Sequence, residues 1–226
     1  MKSLCINIDS DTESWELSQK EFDRVGLTVE RFSATVEDNR VLAFNKSVYR
    51  AMEYSVTAGP LQDHIGIGAF KFRGVKREHL LLFEDDVVFD TDRFPLNIEK
   101  MPPGWMTLHF GCNIIGVTGT EWQMPTHFSP GLAKLHNCWQ SHATLYSAEC
   151  VKFILENFKF VTDEYKTEGC QIFDEWLRVN VLPLGNSYLM KPMIAYQRPR
   201  HSAIWNVETD YVGAHKQGNE WLKKNL

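Results

Sequence analysis

The sequence predicts an α/β fold in which a central, mostly parallel sheet is flanked by helices. Three observations carry that expectation. The chain opens as strand, helix, strand. A wholly apolar run, Leu80-Leu81-Leu82-Phe83, has the composition of a strand covered on both faces, and it leads straight into three carboxylates. Hydrophobic residues at 43% and charged residues at 23% are the balance of a globular chain with a packed interior. The 226 residues correspond to roughly one and a half domains at about 150 each. Since α/β units often pass ~200 residues, all of 1–226 is read as one domain.

Charge and composition narrow the function classes. Lys and Arg total 24 against 29 Asp and Glu, a formal net charge of −5, so no overall basic field draws the chain to nucleic acid. No apolar stretch nears the ~18 residues of a membrane span, and no transmembrane segment is expected. The opening Met1 to Asp9 carries one positive charge, at Lys2, and then turns acidic, unlike a secretory signal. The five cysteines (Cys5, Cys112, Cys138, Cys150, Cys170) are odd in number and form no CxxC pair. Free core thiols in a reducing cytoplasm are expected.

Each element has a local reason. Leu4 to Ile8 is a short apolar strand. Asp11 or Thr12 caps a helix on which Trp15, Phe22 and Val25 fall at roughly helical spacing, and Gly26 ends it. Leu27 to Phe32 follows as the next strand. In a β-α-β unit ligands bind beyond the carboxyl ends of the strands, which singles out Asp9 to Trp15. Val41 to Thr57 reads as a helix with Val41, Phe44, Val48 and Met52 as its stripe, stopped by Ala58-Gly59-Pro60. Gly66-Ile67-Gly68-Ala69 lacks the Lys and Ser/Thr of a phosphate loop and reads as a turn. Further strands are expected at His79–Phe83, Trp105–Phe110, Ala143–Tyr146, Ser187–Met190 and Met193–Gln197. Helices are expected from Ser147 to about Phe158 and near Gln171 to Asn180. The long stretch from Gly111 to about Ser141 either carries function or hides short strands.

Glu84-Asp85-Asp86 is the most informative feature. Three adjacent carboxylates repel one another unless a cation or hydrogen-bond donors offset them. On extended chain Glu84 and Asp86 aim to one face and Asp85 to the other. Paired hard oxygens at a strand end suit Mg²⁺ or Mn²⁺ held jointly with a substrate's phosphates. An acidic turn capping backbone N–H groups accounts for an isolated triplet equally well. The apolar neighbours Val87-Val88-Phe89 tilt the balance to a site. A second acidic pair, Asp174-Glu175, falls at a helix N-terminus, where the macrodipole keeps a carboxylate ionised and able to act as a base. Ordinary first-turn helix charge is the commoner meaning of such a pair.

These stretches together resemble the family 25 glycosyltransferases of lipooligosaccharide and collagen galactosylation. The resemblance begins at Ile6-Asn7-Ile8-Asp9 with Trp15 and continues at Arg31-Phe32-Ser33-Ala34. It peaks at Leu81 to Val87, and passes through Thr107-Leu108-His109-Phe110-Gly111, His142 to Ser147 and Phe173-Asp174-Glu175-Trp176-Leu177. It closes at Lys191-Pro192-Met193-Ile194-Ala195-Tyr196-Gln197, with Ser202 and Ile204 behind. The resemblance implies a GT-A type nucleotide-binding sandwich, with a donor-binding half at about 1–110 and an acceptor-binding half at about 111–226. It also implies transfer of a sugar, with inversion, from a nucleotide-sugar donor, a UDP-sugar first. Carried over residue by residue, Asp86 ligates Mn²⁺ (or Mg²⁺), and Glu84 or Asp85 assists through ribose or water. Asn7, Ile8, Asp9 and Trp15 line the donor pocket. Asp174 is the base, with Glu175 as its substitute. Two departures stand out. Asp9-Ser10-Asp11-Thr12-Glu13 is acidic where the family is usually basic, and Ser202-Ala203-Ile204 replaces Ser-Asp-Ile. His201, beside the second, is the expected further contact to metal or diphosphate.

The acceptor is expected to be a glycan or lipooligosaccharide, at the cytoplasmic face of a membrane. A hydroxylated base in DNA is the runner-up, reached through Arg198, Arg200, His201 and Lys216 with Trp205 and Tyr211, in host cytoplasm if the protein is viral. Two other classes stay open: a metal-dependent phosphohydrolase or nuclease, and a non-catalytic nucleotide-sugar-binding module. The first needs more clustered ligands than the sequence displays.

Overall fold

The computed structural model describes residues 1–56, 78–95, 101–114, 124–159, 172–201, 208–209 and 211–226, with Arg200, His201, Glu208 and Thr209 described by backbone alone. The strands are β1 (Lys2–Asn7), β2 (Glu30–Ser33), β3 (Leu80–Glu84), β4 (Val87–Phe89), β5 (Thr107–His109), β6 (Thr126–Ser129), β7 (Leu132–Lys134), β8 (Ala143–Tyr146), β9 (Ser187–Met190), β10 (Ala195–Gln197), β11 (Arg200–His201) and β12 (Glu208–Thr209). The helices are α1 (Thr12–Arg24), α2 (Arg40–Val56), α3 (Ala148–Asn157), α4 (Phe173–Asn180) and α5 (Tyr211–Asn225).

Eight strands form one sheet in the order β2-β1-β3-β8-β5-β9-β7-β6. β1 pairs in parallel with β2 and β3, and β5 with β9. β8 runs against β3 and β5, and β7 against β9 and β6. Only β8 and β7 thus oppose the common direction, and the sheet is mostly parallel with helices on its faces, as the sequence predicts. A small antiparallel pair, β10 with β4, lies beside it, with Gln197 opposite Val87.

Strand β3 shows why its sequence is apolar throughout. Leu80 and Leu82 enter one core with Leu4 and Ile6 of β1, Val48 and Met52 of α2, Ile154 of α3 and Phe173 of α4. Leu81 and Phe83 enter another with Cys5, Phe22 of α1 and Phe89 of β4. Successive side chains point to opposite faces, and helices or the β4 strand cover both. α1 is also tied to β4 by polar bonds: Arg24 donates to the Phe89 carbonyl (2.7 Å), and Glu21 accepts from the Phe89 N–H (3.0 Å).

The element bounds follow local chemistry. Asp11 caps α1, accepting from the N–H and the hydroxyl of Ser14 (3.1 and 2.9 Å). Gly26, at φ +75°, closes its far end. The expected strand at Leu27 starts only at Glu30, because the Leu27 N–H is spent on the Phe22 carbonyl (2.8 Å) at the helix end. The irregular stretch after Gly111 hides the β6–β7 hairpin, which turns at Gly131 (φ +87°). Helix α5 is the element the sequence conceals: its buried residues are His215, Gly218 and Leu222, two of them not hydrophobic. Cys170 and the turn at Gly66 lie outside the described residues.

Gly111 has the tightest surroundings. A Cβ there would sit 1.7 Å from the Ala195 carbonyl oxygen. The Phe110 carbonyl accepts from the N–H groups of Ile194 and Ala195 (2.8 and 3.1 Å), so the two backbones lie in contact. Gly111→Ala is therefore expected to cost about 3 kcal/mol or more in denaturant unfolding, since main chain must move. Gly218→Ala is expected to cost clearly less, because its obstacle, Met193 Cε at 2.5 Å, is the end of a flexible side chain. Equal losses would contradict this account.

Candidate functional site

The carboxyl ends of β2, β1 and β3 lie side by side, with Asn7 opposite Ser33 and Ile6 opposite Glu84. A cavity of about 210 Å³ opens there. Its floor is Asn7, Ile8 and the Glu84-Asp85-Asp86 triplet. Thr35 and Glu37, Arg40 and Phe44 of α2, and Gln140, Asp174, Gln197 and Tyr211 also line it.

The triplet splits as alternation requires. Asp85 turns to β1, where its Oδ2 accepts from Asn7 Nδ2 at 2.6 Å, while its carbonyl accepts from the Ser18 hydroxyl. Glu84 and Asp86 share the opposite face. Gln197 Nε2 lies 3.4 Å from Glu84 Oε2 and 3.3 and 3.2 Å from the two Asp86 oxygens. Asp86 is 2% exposed and Asp85 7%, so both carboxylates sit in the interior. The main chain at Asp86 is pinned as well, its carbonyl accepting from the Arg198 N–H at 2.7 Å. Two hard oxygen donors on one face, rather than three converging ligands, fit a small divalent ion that takes its other ligands from water and phosphate. Mn²⁺ or Mg²⁺ would be held there by Asp86 with Glu84.

Asp174 stands in the first turn of α4. One of its oxygens accepts from the Glu175 N–H (2.8 Å) and the other lies 3.4 Å from the Gln140 N–H. Gln140 holds φ +74°, a backbone state uncommon outside glycine and one that clusters at functional sites. Burial pushes the Asp174 carboxyl above its ordinary range, against the lowering effect of those N–H groups. The helix start is fixed by Asn45 of α2, whose Oδ1 accepts from the Phe173 N–H at 2.9 Å.

Of the residues singled out in the sequence, Asn7, Ile8, Glu84, Asp85, Asp86 and Asp174 meet in this cavity. Three do not. Asp9 is exposed at the rim, accepting from the Ser33 hydroxyl at 2.8 Å. Trp15 lies beside Arg31, whose guanidinium stands 5.7 Å from its ring centre. Glu175 faces away and is paired with Arg178, whose Nε donates to it at 2.6 Å. The His201 side chain, like Trp205 and Ser202 to Ile204, lies outside the described residues. The basic, aromatic strip expected at the tail is divided: Tyr211 lines the cavity, whereas Lys216 is exposed on α5.

Sequence reasoning missed four residues. Gln197 closes the resemblance yet had no assigned role, and Gln140 carries no sequence signal. Arg40 and Arg31 are cations brought in by neighbouring elements. Arg31 donates to Asn7 Oδ1 at 2.8 Å and to the carbonyls of Ile8 and Asp9 at 3.3 and 3.1 Å. The same strand-end rule applied to β2 would have flagged Ala34 and Thr35.

The site defines a class: an α/β protein with an acidic pocket at the carboxyl ends of parallel strands. No family pattern and no curated protein matches the chain. Among solved structures, it is similar to a glycosyltransferase involved in the glycosylation of the major capsid of PBCV-1. That likeness has 9% identity and a TM-score of 0.45, and covers 96% of this chain and 98% of that one. It is also similar to A197 from STIV, at 12% identity and a TM-score of 0.40, over 92% and 93% of the two chains. Likenesses at this level carry no argument about chemistry. Among the described residues, no helix is long and apolar enough to cross a membrane. One further group there can hold an ion: His109, Cys112 and Cys138.

Asn7 ties the floor together, giving its amide N–H to Asp85 and its oxygen to Arg31. Asn7→Ala is expected to lower unfolding stability by about 1–3 kcal/mol, because it strips a buried carboxylate and a guanidinium of a shared partner. A loss within error of zero in urea titrations would mean that the bridge contributes nothing.

Proposed function

We propose that this chain is a metal-dependent glycosyltransferase of the family 25 type, moving a sugar from a nucleotide-sugar donor, a UDP-sugar first, to an acceptor hydroxyl with inversion. One observation carries the reading: Asp86 at the end of β3 and Asp174 at the start of α4 line the same cavity. A donor needs charge neutralisation at its diphosphate and a base at its sugar, and both residue types line this space.

Asp86, with Glu84, would hold Mn²⁺ or Mg²⁺, which supplies positive charge to the diphosphate as it leaves. Asp85 and Asn7 fix the floor on which the nucleoside rests. Gln197 positions Asp86 through its amide. Asp174 takes the proton of the attacking hydroxyl. Its carboxyl, raised by burial, is a stronger base than an exposed aspartate. Glu175 is a poor substitute, because Arg178 occupies it. The acceptor is a glycan or lipooligosaccharide hydroxyl first and a hydroxylated DNA base second; Tyr211 lines the cavity and Lys216 is exposed on α5. A cytoplasmic setting, free or at a membrane face, accords with the buried free thiols of Cys5, Cys112, Cys138 and Cys150.

Calorimetry with UDP-sugars is expected to detect Mn²⁺-assisted binding that Asp86→Ala abolishes while the circular dichroism spectrum is unchanged. Asp174→Asn is expected to bind donor normally and to lose transfer by a factor of about 10²–10⁴. Glu175→Gln is expected to stay within a few-fold of the parent. The sign of the pH effect follows from the base: transfer requires ionised Asp174, so a raised pKa moves the acid limb of kcat/KM upward from the ordinary aspartate range. Unchanged donor affinity in Asp86→Ala, or hydrolysis of plain nucleotides or DNA in place of sugar transfer, would reassign the site.

A further inference from the structure

The turn after β5 holds a second group of donors with different chemistry. His109 is the last residue of β5, and Cys112 follows in the turn. Cys138 is delivered from a distant stretch by the main-chain bridge between Asn113 and Trp139, whose two hydrogen bonds measure 2.9 and 3.0 Å. One ring nitrogen of His109 and the two Sγ atoms lie within 4.8 Å of one another. All three side chains are buried, at 1%, 4% and 4% exposure, and both cysteines pack among Ile114, Leu135 and Leu189.

The His109 ring is oriented by its neighbours. The Thr144 hydroxyl lies 3.3 Å from the Ser141 carbonyl, to which it donates, and 3.3 Å from His109 Nδ1. With its proton spent on the carbonyl, the hydroxyl accepts from Nδ1–H, which leaves the Nε2 lone pair bare. Nε2 is fully enclosed and has no hydrogen-bond partner among the described residues. Interior polar atoms are paired in the great majority of cases, so a bare imidazole nitrogen beside two thiols has the chemistry of a metal ligand.

We propose that His109, Cys112 and Cys138 bind one Zn²⁺ ion, at a site separate from the carboxylate cavity. Sulfur and imidazole select zinc over Mn²⁺ or Mg²⁺, which prefer oxygen. Two thiolates cancel the charge of a dication and leave a neutral unit in the interior, whereas Cu⁺ would leave a buried negative charge. On binding, each thiol gives its proton to solvent, Nε2 gives its lone pair, and the fourth tetrahedral position falls to water. Zn–S distances of about 2.3 Å and Zn–N of about 2.0 Å require donor–donor edges of roughly 3.5–3.8 Å, so no pair of donors need close by more than about one ångström. The Thr144 contact at Nδ1 is the kind of outer hydrogen bond that zinc-bound histidines use. The ion staples the turn carrying Gly111 to the segment at Cys138 and Trp139. Because Gly111 packs on Ala195, the staple also steadies the strand that bears Gln197.

The test uses the whole chain, purified without oxygen. One equivalent of Co²⁺ is expected to produce a sulfur-to-cobalt charge-transfer band with the strong visible bands of tetrahedral coordination, and one equivalent of Zn²⁺ to bleach them. X-ray absorption of the zinc-loaded, unmutated chain is expected to give two sulfur neighbours and one imidazole nitrogen. Cys112→Ser and Cys138→Ser are expected to lose the band, and Cys150→Ser, a buried thiol outside the cluster, to keep it. The spectra of the unmutated chain decide if the serine variants fail to fold. Oxygen-only coordination, absence of the charge-transfer band, or a Cys112–Cys138 disulfide in the anaerobically purified chain overturns the proposal. None of these results depends on sugar transfer.

Discussion

Two carboxylates, Asp85 and Asp86, are held out of water in the turn that follows a strand whose first four residues are apolar. Removing such groups from solvent costs several kcal/mol each unless donors or a cation meet them. Much of the surrounding architecture meets that demand. β1 supplies Asn7 to Asp85, α1 supplies Ser18 to its carbonyl, and β10 supplies Gln197 to Asp86. β10 reaches that position only because Gly111 lets its backbone lie against the Phe110 turn. A packing detail far from the cavity in sequence thereby sets the distance between a glutamine and an aspartate.

Much of this was legible in the sequence for plain reasons. Alternation along an extended chain separates Asp85 from Glu84 and Asp86, whereas the strand-end rule points to Asp9 to Trp15, just past Asn7 and Ile8, which the family resemblance supplies and which line the cavity. Asp174 was readable as a first-turn helix acid. Other parts were hidden because they exist only in three dimensions. Gln140 contributes through a backbone angle and a main-chain N–H, neither of which leaves a trace in residue type. Helix α5 buries a histidine and a glycine, so its inward stripe looks polar. Cys112 and Cys138 are too far apart to form a motif, and only the Asn113–Trp139 bridge makes them neighbours.

The acidic opening after β1 also changes meaning once folded. Asp9 to Glu13 lacks the basic residues expected at that place, yet Arg31 of β2 crosses to the same loop and binds its carbonyls. Positive charge therefore reaches this acidic loop from the neighbouring strand. Asn7 joins this cation to Asp85, so the loop, the strand and the triplet respond together to substitution at any one of them.

Strand order has a consequence for how the protein is made. β8, from residues 143–146, is inserted between β3 and β5, and Gln197 arrives later still. As the polypeptide leaves the ribosome, β3 emerges with one edge unpaired until β8 follows, and Asp86 lacks the amide of Gln197 until β10 follows. Nascent fragments that stop short of β8 expose the apolar edge of β3, the kind of surface that chaperones bind and that aggregation begins on.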